Sequence, residues 1–189
     1  MSYSQSVSDM TDEEYQKIID SAHRYNDSHP LNWNVSASDL ETYNQELNFN
    51  NNGIMGYIEI PKIHVKLSLF HGTDEKVLET SIGHLEGTSL PVGGLGTHSV
   101  LSGHRGLPSA RLFSDLDKLR EGDIFTLHIL NETLTYQVDQ IRVVEPTDLS
   151  TLVANPEQDL VTLVTCTPYG INSHRLLVRG HRIENVDGN

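Results

Sequence analysis

The sequence predicts a mainly β domain, a closed or nearly closed barrel, carrying an N-terminal helical appendage. Three observations carry that prediction. Beyond Gly53 the apolar residues come in short β-rich runs bounded by Gly, Pro, Asn and Asp, the texture of an all-β domain. Before it, they come at helical spacing in a stretch whose nine acidic residues face only Lys17 and Arg24, and which ends in the polar run Asn48-Phe49-Asn50-Asn51-Asn52. At 189 residues, the chain has room for one well-buried core and would be cramped with two. The expected division is therefore an appendage and linker over 1–52 and a barrel over 53–189.

The elements follow in order. Thr11 and Glu14 make a capping-box pair, and Tyr15, Ile18, Ile19, Ala22 and Tyr25 follow on one face, which predicts an amphipathic helix. A shorter helix starting at Ser36 or Ser38 carries Leu40, Tyr43 and Leu47, with His29-Pro30 breaking the chain between the two. Strands are expected at 56–60, 65–71, 98–103, 123–130, 133–144, 159–166 and 174–183, with a hairpin turn about Asn131-Glu132. Helical pieces fit Asp74 to Thr80 and Ala110 to Leu119, the latter with Leu112, Phe113, Leu116 and Leu119 on one side. Both would lie on the barrel as crossovers.

Composition removes several function classes. Thirteen Lys plus Arg against 26 Asp plus Glu leave a net charge of −13, which repels a phosphate backbone and an anionic lipid surface alike. Nucleic acid is not an expected partner. No apolar run approaches the roughly 18–20 residues that span a bilayer, and no signal-peptide pattern opens the chain, so solubility as given is the expectation. The single cysteine, Cys166, excludes an internal disulfide framework and a multi-cysteine zinc site. Among ten histidines, His174 and His181 have opposite strand parity and no HExxH spacing occurs, so solvated histidines are expected, with no metal and no cofactor.

Cys166 closes a run from Asp159 that is apolar or β-branched on both parities, the mark of a strand buried on both faces. The thiol then sits at a rigid strand end. After the turn Thr167-Pro168-Tyr169-Gly170, the strand from His174 brings Arg175 back beside it. A fixed guanidinium there favours thiolate and can hold a developing oxyanion. A leaving amine also needs a proton carrier, for which histidine is suited. His104 is preferred because Ser102-Gly103-His104-Arg105-Gly106 ends a strand in a glycine-flanked turn that presents a side chain at a sheet rim. His174 is the nearest rival, but only one of two neighbouring strand residues can face the thiol.

These residues carry a resemblance. Thr162-Leu-Val-Thr-Cys166-Thr-Pro-Tyr-Gly-Ile-Asn-Ser-His-Arg175 resembles the cysteine signature of class C sortases, and Ser102-Gly-His104-Arg-Gly-Leu-Pro108 that family's histidine segment. Gly56-Tyr-Ile-Glu-Ile-Pro61 and the glycine-rich loop Leu90-Pro-Val-Gly-Gly94 are similar to its usual strand and loop, so the likeness runs over about 53 to 183. It implies a closed sortase-type β-barrel of about eight strands. It implies, too, a cysteine transpeptidase at the outer face of a Gram-positive cell membrane, anchored there in its untrimmed form. In that chemistry Cys166 cleaves an LPXTG-like sorting signal through a thioester, His104 serves as acid and base, and Arg175 holds the oxyanion or positions substrate. The partners would be pilin subunits bearing the sorting signal and an acceptor lysine. One stretch departs from the family, whose lid carries Asp-Pro followed by an aromatic: here Asp27-Ser-His29-Pro30-Leu-Asn-Trp33 makes His29, Pro30 and Trp33 the candidate lid residues. Alternatives stay open: a wall-anchoring sortase, a cysteine peptidase using water, or a β-barrel binding module with an inert cysteine.

Overall fold

Strands β1 (Ile54–Ile60), β2 (Val65–His71), β3 (Ile82–His84), β4 (His98–Ser102), β5 (Ile124–Ile129), β6 (Glu132–Val144), β7 (Leu160–Thr167) and β8 (His174–Ile183) close into a barrel. The computed structural model describes residues 3–105 and 112–184. The strand order around the barrel is β1-β2-β3-β4-β7-β8-β6-β5. Closure leaves no sheet edge to template pairing with another chain. Two neighbour pairs, β2–β3 and β4–β7, are parallel, and each therefore needs a crossover. The first is made through α4 (Glu75–Leu78), which starts after Asp74.

Seven of the eight strands fall where the short β-rich runs place them, within two residues at each end. The eighth, β3, was not expected: Ile82-Gly83-His84 is too short to show any alternation. Two local expectations need correction. The tight turn of the β5–β6 hairpin is Leu130-Asn131 rather than Asn131-Glu132, with Leu130 in the left-handed region at φ 54°. Of the helix expected over Ala110–Leu119, Ala110 and Arg111 lie outside the described residues, and the remainder is a turn with a single 3-10 segment, Leu116–Lys118. Leu112, Phe113, Leu116 and Leu119 are nevertheless buried, so the apolar pattern reported burial correctly and helix wrongly.

The appendage consists of α1 (Tyr3–Ser8), α2 (Asp12–Ser28) and α3 (Ala37–Gln45). The Thr11–Glu14 capping box is formed in both directions, at 3.1 and 3.2 Å, and of the two serines it is Ser36 that caps α3. α1 was not foreseen; Tyr3 places it, donating its hydroxyl to the Met55 carbonyl (2.9 Å) and accepting from the Leu130 amide (2.7 Å). Ile19, Ala22, Tyr25, Tyr43 and Leu47 pack into the same hydrophobic cluster as Ile58, Leu69, Ile82 and Leu90 of the barrel. Polar groups fix the seam. Asn26 receives the Leu90 amide at 2.7 Å and donates to its carbonyl at 3.2 Å, acting as a short surrogate strand.

The deepest seam contact is between Tyr43 and His84. His84 Nε2 faces the Ser89 carbonyl at 2.7 Å and must donate to it, which leaves Nδ1 to accept from the Tyr43 hydroxyl, also at 2.7 Å. Burial lowers the His84 pKa from 6.5 to about 4, so the ring stays neutral. His84 and His98 are both 0% exposed, correcting the expectation that the histidines are solvated. His98 is held by the Val153 carbonyl (2.8 Å) and Thr162 Oγ1 (2.7 Å), and burial lowers its pKa too.

Candidate active site

Strand register assembles the site. β4 and β7 run parallel with Ser102 beside Val164, and the Gly103 amide continues the ladder to the Val164 carbonyl at 3.1 Å. His104 thus comes level with Cys166, two residues further along each chain. On the other side of β7, the antiparallel pair sets Cys166 directly opposite Arg175. Directly opposed residues hold their Cβ atoms about 4.5–5.5 Å apart on one face. The backbone therefore sets Cys166 on β7 opposite Arg175 on β8, with His104 two residues past the end of β4, the strand paired to the other side of β7. His174 pairs with Thr167 instead, on the opposite parity, and its Nε2 meets Glu145 at 3.2 Å.

The glycine before His104 has a packing reason. A Cβ on Gly103 would lie 2.6 Å from both Ile82 and Phe113 side chains, so only glycine lets the histidine turn close down on the core. Thr165 Oγ1 then donates to the Gly103 carbonyl at 2.8 Å, tying the turn to β7. The rest of the histidine motif, Gly106-Leu107-Pro108, lies outside the described residues.

Two contacts at the rim were missed in the sequence. His104 Nε2 is 2.8 Å from Glu75 Oε1, at the start of α4, and Glu75 stands 76% exposed. Arg105, by contrast, is only 5% exposed along its side chain and donates to the Cys166 carbonyl at 3.2 Å. Both partners are far apart in sequence; the one available signal was a cation directly after the candidate histidine. Arg175 is anchored locally, donating to the carbonyls of Asn172 (3.2 Å) and His174 (3.0 Å).

Beside Arg175 runs a largely apolar groove of about 240 Å³, lined by Leu85, Val100, Val144, Leu149, Leu152, Val164 and Leu177, with Thr73, Ser102, Glu145, Asp148 and Arg175 as its polar wall. Val164 and Leu177 share the faces of Cys166 and Arg175 through the period of two, so the groove leads along the outer barrel face to the thiol. A groove with this lining has room for aliphatic side chains of an extended segment. Among the described residues, no group of three or more His, Cys, Asp or Glu is placed to hold a metal.

The candidate lid residues stand elsewhere. His29 stacks on Tyr25, ring centroids 3.9 Å apart, and its Nε2 is 3.5 Å from Asp39. Pro30 lines a separate cleft with Leu31 and Val35 over Gly87 and Thr88. The Asn32 amide donates to the Gly87 carbonyl at 3.0 Å; Gly87 has φ +88° and a Cβ there would sit 1.9 Å from the Asn32 oxygen. Trp33 is 39% exposed. Among the described residues, no hydrogen bond or ion pair joins residues 27–35 to His104, Cys166 or Arg175.

Comparison with known proteins follows the same lines. Residues 58–183 match the family described as Sortase domain. Sortase D of Bacillus subtilis (strain 168) is 30% identical over 131 residues, which are 68% of this chain and 63% of that protein, so the chain spans under two thirds of this curated relative. Among solved structures, sortase C1 from Streptococcus agalactiae is 59% identical, with a TM-score of 0.95 over 97% of this chain and 96% of that one. Sortase C of Streptococcus pneumoniae is 42% identical, with a TM-score of 0.87 over 97% and 95% of the two chains. A pilus-related sortase C of Group B Streptococcus is 39% identical, with a TM-score of 0.85 over 98% and 97%.

Proposed function

This chain belongs to the sortase family, and from that premise we propose that it is a pilin-polymerising cysteine transpeptidase with Cys166 as nucleophile, His104 as acid and base, and Arg175 as oxyanion or substrate-positioning group. The observation that supports this reading is the pairing of Cys166 opposite Arg175, with His104 just past the end of the strand on the other side of β7 and a groove beside Arg175. The high similarity to a pilus-related sortase C favours pilin subunits as substrates. We place the enzyme at a Gram-positive cell surface, with membrane anchoring as a property of a longer form. No helix among the described residues is long and apolar enough to cross a membrane.

The groove holds the aliphatic part of an LPXTG-like signal, and the Cys166 thiolate attacks the threonine carbonyl, forming a C–S bond. Arg175, opposite the thiol, stabilises the oxyanion of the tetrahedral intermediate. The C–N bond to glycine breaks as His104 gives its proton to the leaving amine. A neutral lysine amine of the next subunit then attacks the thioester, His104 takes its proton, and the thiolate leaves as the isopeptide bond forms. Incubation with a purified pilin bearing a sorting signal tests this: a ladder of covalent multimers resistant to denaturant is expected. Cleaved monomer alone would assign water as acceptor and a peptidase activity; transfer only to a peptidoglycan amine would assign wall anchoring.

A further inference from the structure

Arg105 is the buried cation of the site and has no part in the steps above. Its guanidinium reaches three separate segments. Nη1 donates to the Cys166 carbonyl at 3.2 Å, Nε donates to the Ser114 carbonyl at 3.2 Å, and Nη2 pairs with Asp117 Oδ1 at 3.0 Å. Its Cζ also lies 5.4 Å from the ring centroid of Tyr169, in the loop that joins Cys166 to Arg175. One side chain thus ties the strand end bearing the thiol, the loop after it and the turn at 112–117. Its own backbone follows the candidate general acid directly.

We propose that Arg105 is a positioning residue for thioester formation, clamping the Cys166 strand end to the His104 turn so that thiol and imidazole keep a reactive separation. The proposal rests on the reading of Cys166 and His104 given above. Two features separate the clamp from a generic buried charge. First, its bonds go to main-chain carbonyls of two separate segments, the Cys166 strand end and the turn at Ser114, so it fixes backbone rather than one rotamer. Second, the bonds diverge within one plane while a face lies on Tyr169, a geometry open to the rigid fork of arginine and closed to the point charge of lysine. Asp117 is 54% exposed along its side chain, so water screens that tie, and the carbonyl bonds inside the site are the ones that set position. Displacing reacting groups by about 1 Å costs on the order of 10²-fold in rate.

The test is single-turnover thioester formation on a sorting-signal peptide, with thermal midpoint and KM measured alongside, in R105K, R105A and D117N. Expected are a fall of about 30- to 100-fold in the acylation rate of R105K, KM within about threefold, and a midpoint within a few degrees of wild type. In R105A, millimolar methylguanidinium should restore part of the acylation rate, since it can refill the cavity with the same planar donors; it should do nothing for R105K. D117N should acylate within about threefold of wild type because both carbonyl bonds survive. Acylation of R105K within threefold of wild type overturns the clamp. So does a rate loss that tracks the unfolded fraction, or an R105A deficit that methylguanidinium leaves unchanged. C166A run in parallel separates the two readings: if it still makes thioester or polymer, the catalytic assignment fails first, whereas an inert C166A beside a fast R105K defeats the clamp alone.

Discussion

The seam between appendage and barrel and the rim at Cys166 use the same residue types in opposite ways. At the seam, His84 is 0% exposed and both ring nitrogens are committed, one to a carbonyl and one to the Tyr43 hydroxyl. At the rim, the His104 side chain is 26% exposed and its Nε2 meets a carboxylate that is itself 76% exposed. A fully satisfied buried polar network holds one arrangement, because breaking any bond strands a partner without water. A side chain whose partner is solvated can exchange protons and move at little cost. On the function proposed above, the seam serves stability and the rim serves chemistry, so substitutions in one region should spare the property carried by the other.

The largest effects that would sharpen this contrast lie at the rim. Cys166→Ala should abolish thioester and polymer while leaving the thermal midpoint almost unchanged, since the thiol sits at a part-exposed strand end. His104→Ala should lower kcat/KM by about 10²- to 10⁴-fold, the usual worth of a positioned general acid. Residual polymer in the first, or a loss under about threefold in the second, would break the assignment and leave the rim as mere structure. Next in size is Arg175→Lys, which keeps the charge opposite Cys166 but loses the fork. A fall of about ten- to a hundredfold in kcat/KM on a sorting-signal peptide is expected, given about 10²- to 10³-fold for removing an oxyanion donor outright. A value near wild type would mean that Arg175 supplies only a diffuse field.

The seam makes a different kind of prediction, in stability against pH. His84 binds its proton at about 4 when folded and at 6.5 when unfolded, because burial penalises the charged ring, with His71 adding a smaller repulsion. Between those values the unfolded chain holds more protons, so stability rises with pH across the window. The contribution is complete above 6.5, falls as pH drops toward 4, and is flat below. The separation is worth about 3 kcal/mol at 1.36 kcal/mol per pH unit. Urea midpoints from pH 7.5 to 4 in wild type and H84Q should diverge on the acid side, with the variant losing less. Equal slopes would show that the ring is charged inside the seam, and the contrast with His104 would fail.

The barrel was legible because strands announce themselves as short β-rich runs, and parity said that only one of Arg175 and His174 could share the thiol's face. Capping chemistry likewise gave α2 and α3, since Thr11, Glu14 and Ser36 act within three residues of their partners. What escaped depends on partners remote in sequence. β3 has three residues and no pattern; it is a strand because β2 and β4 flank it. His84 reads like any other histidine until Tyr43, 41 residues earlier, closes over it. Arg105 looks like a solubilising charge in a turn, yet it bonds a carbonyl 61 residues away. The helix expected through Leu119 failed for a related reason: the four apolar residues are drawn inward by the core, and a turn buries them as well as a helix would.

The smallest expected effect concerns residues 27–35, and it probes where the seam ends and the rim begins. The segment is held by a backbone hydrogen bond to Gly87 across the seam and by Tyr25 stacking on His29 within the appendage. We propose that this degenerate lid leaves the thiol accessible and serves to orient the appendage. Removing 1–52 would be a poor test, because Ile19, Ala22, Tyr25, Tyr43 and Leu47 share the barrel's hydrophobic cluster and their loss would expose it. Trp33→Ala and Pro30→Gly disturb the segment while leaving those residues in place. Labelling of Cys166 by a small neutral thiol reagent should change by less than about threefold in either variant, with midpoints near wild type. Tenfold faster labelling would correspond to about 1.4 kcal/mol of shielding removed. Residues 27–35 would then reach across to the rim, and the division between a locked seam and an open site would have to be redrawn with the lid on the catalytic side.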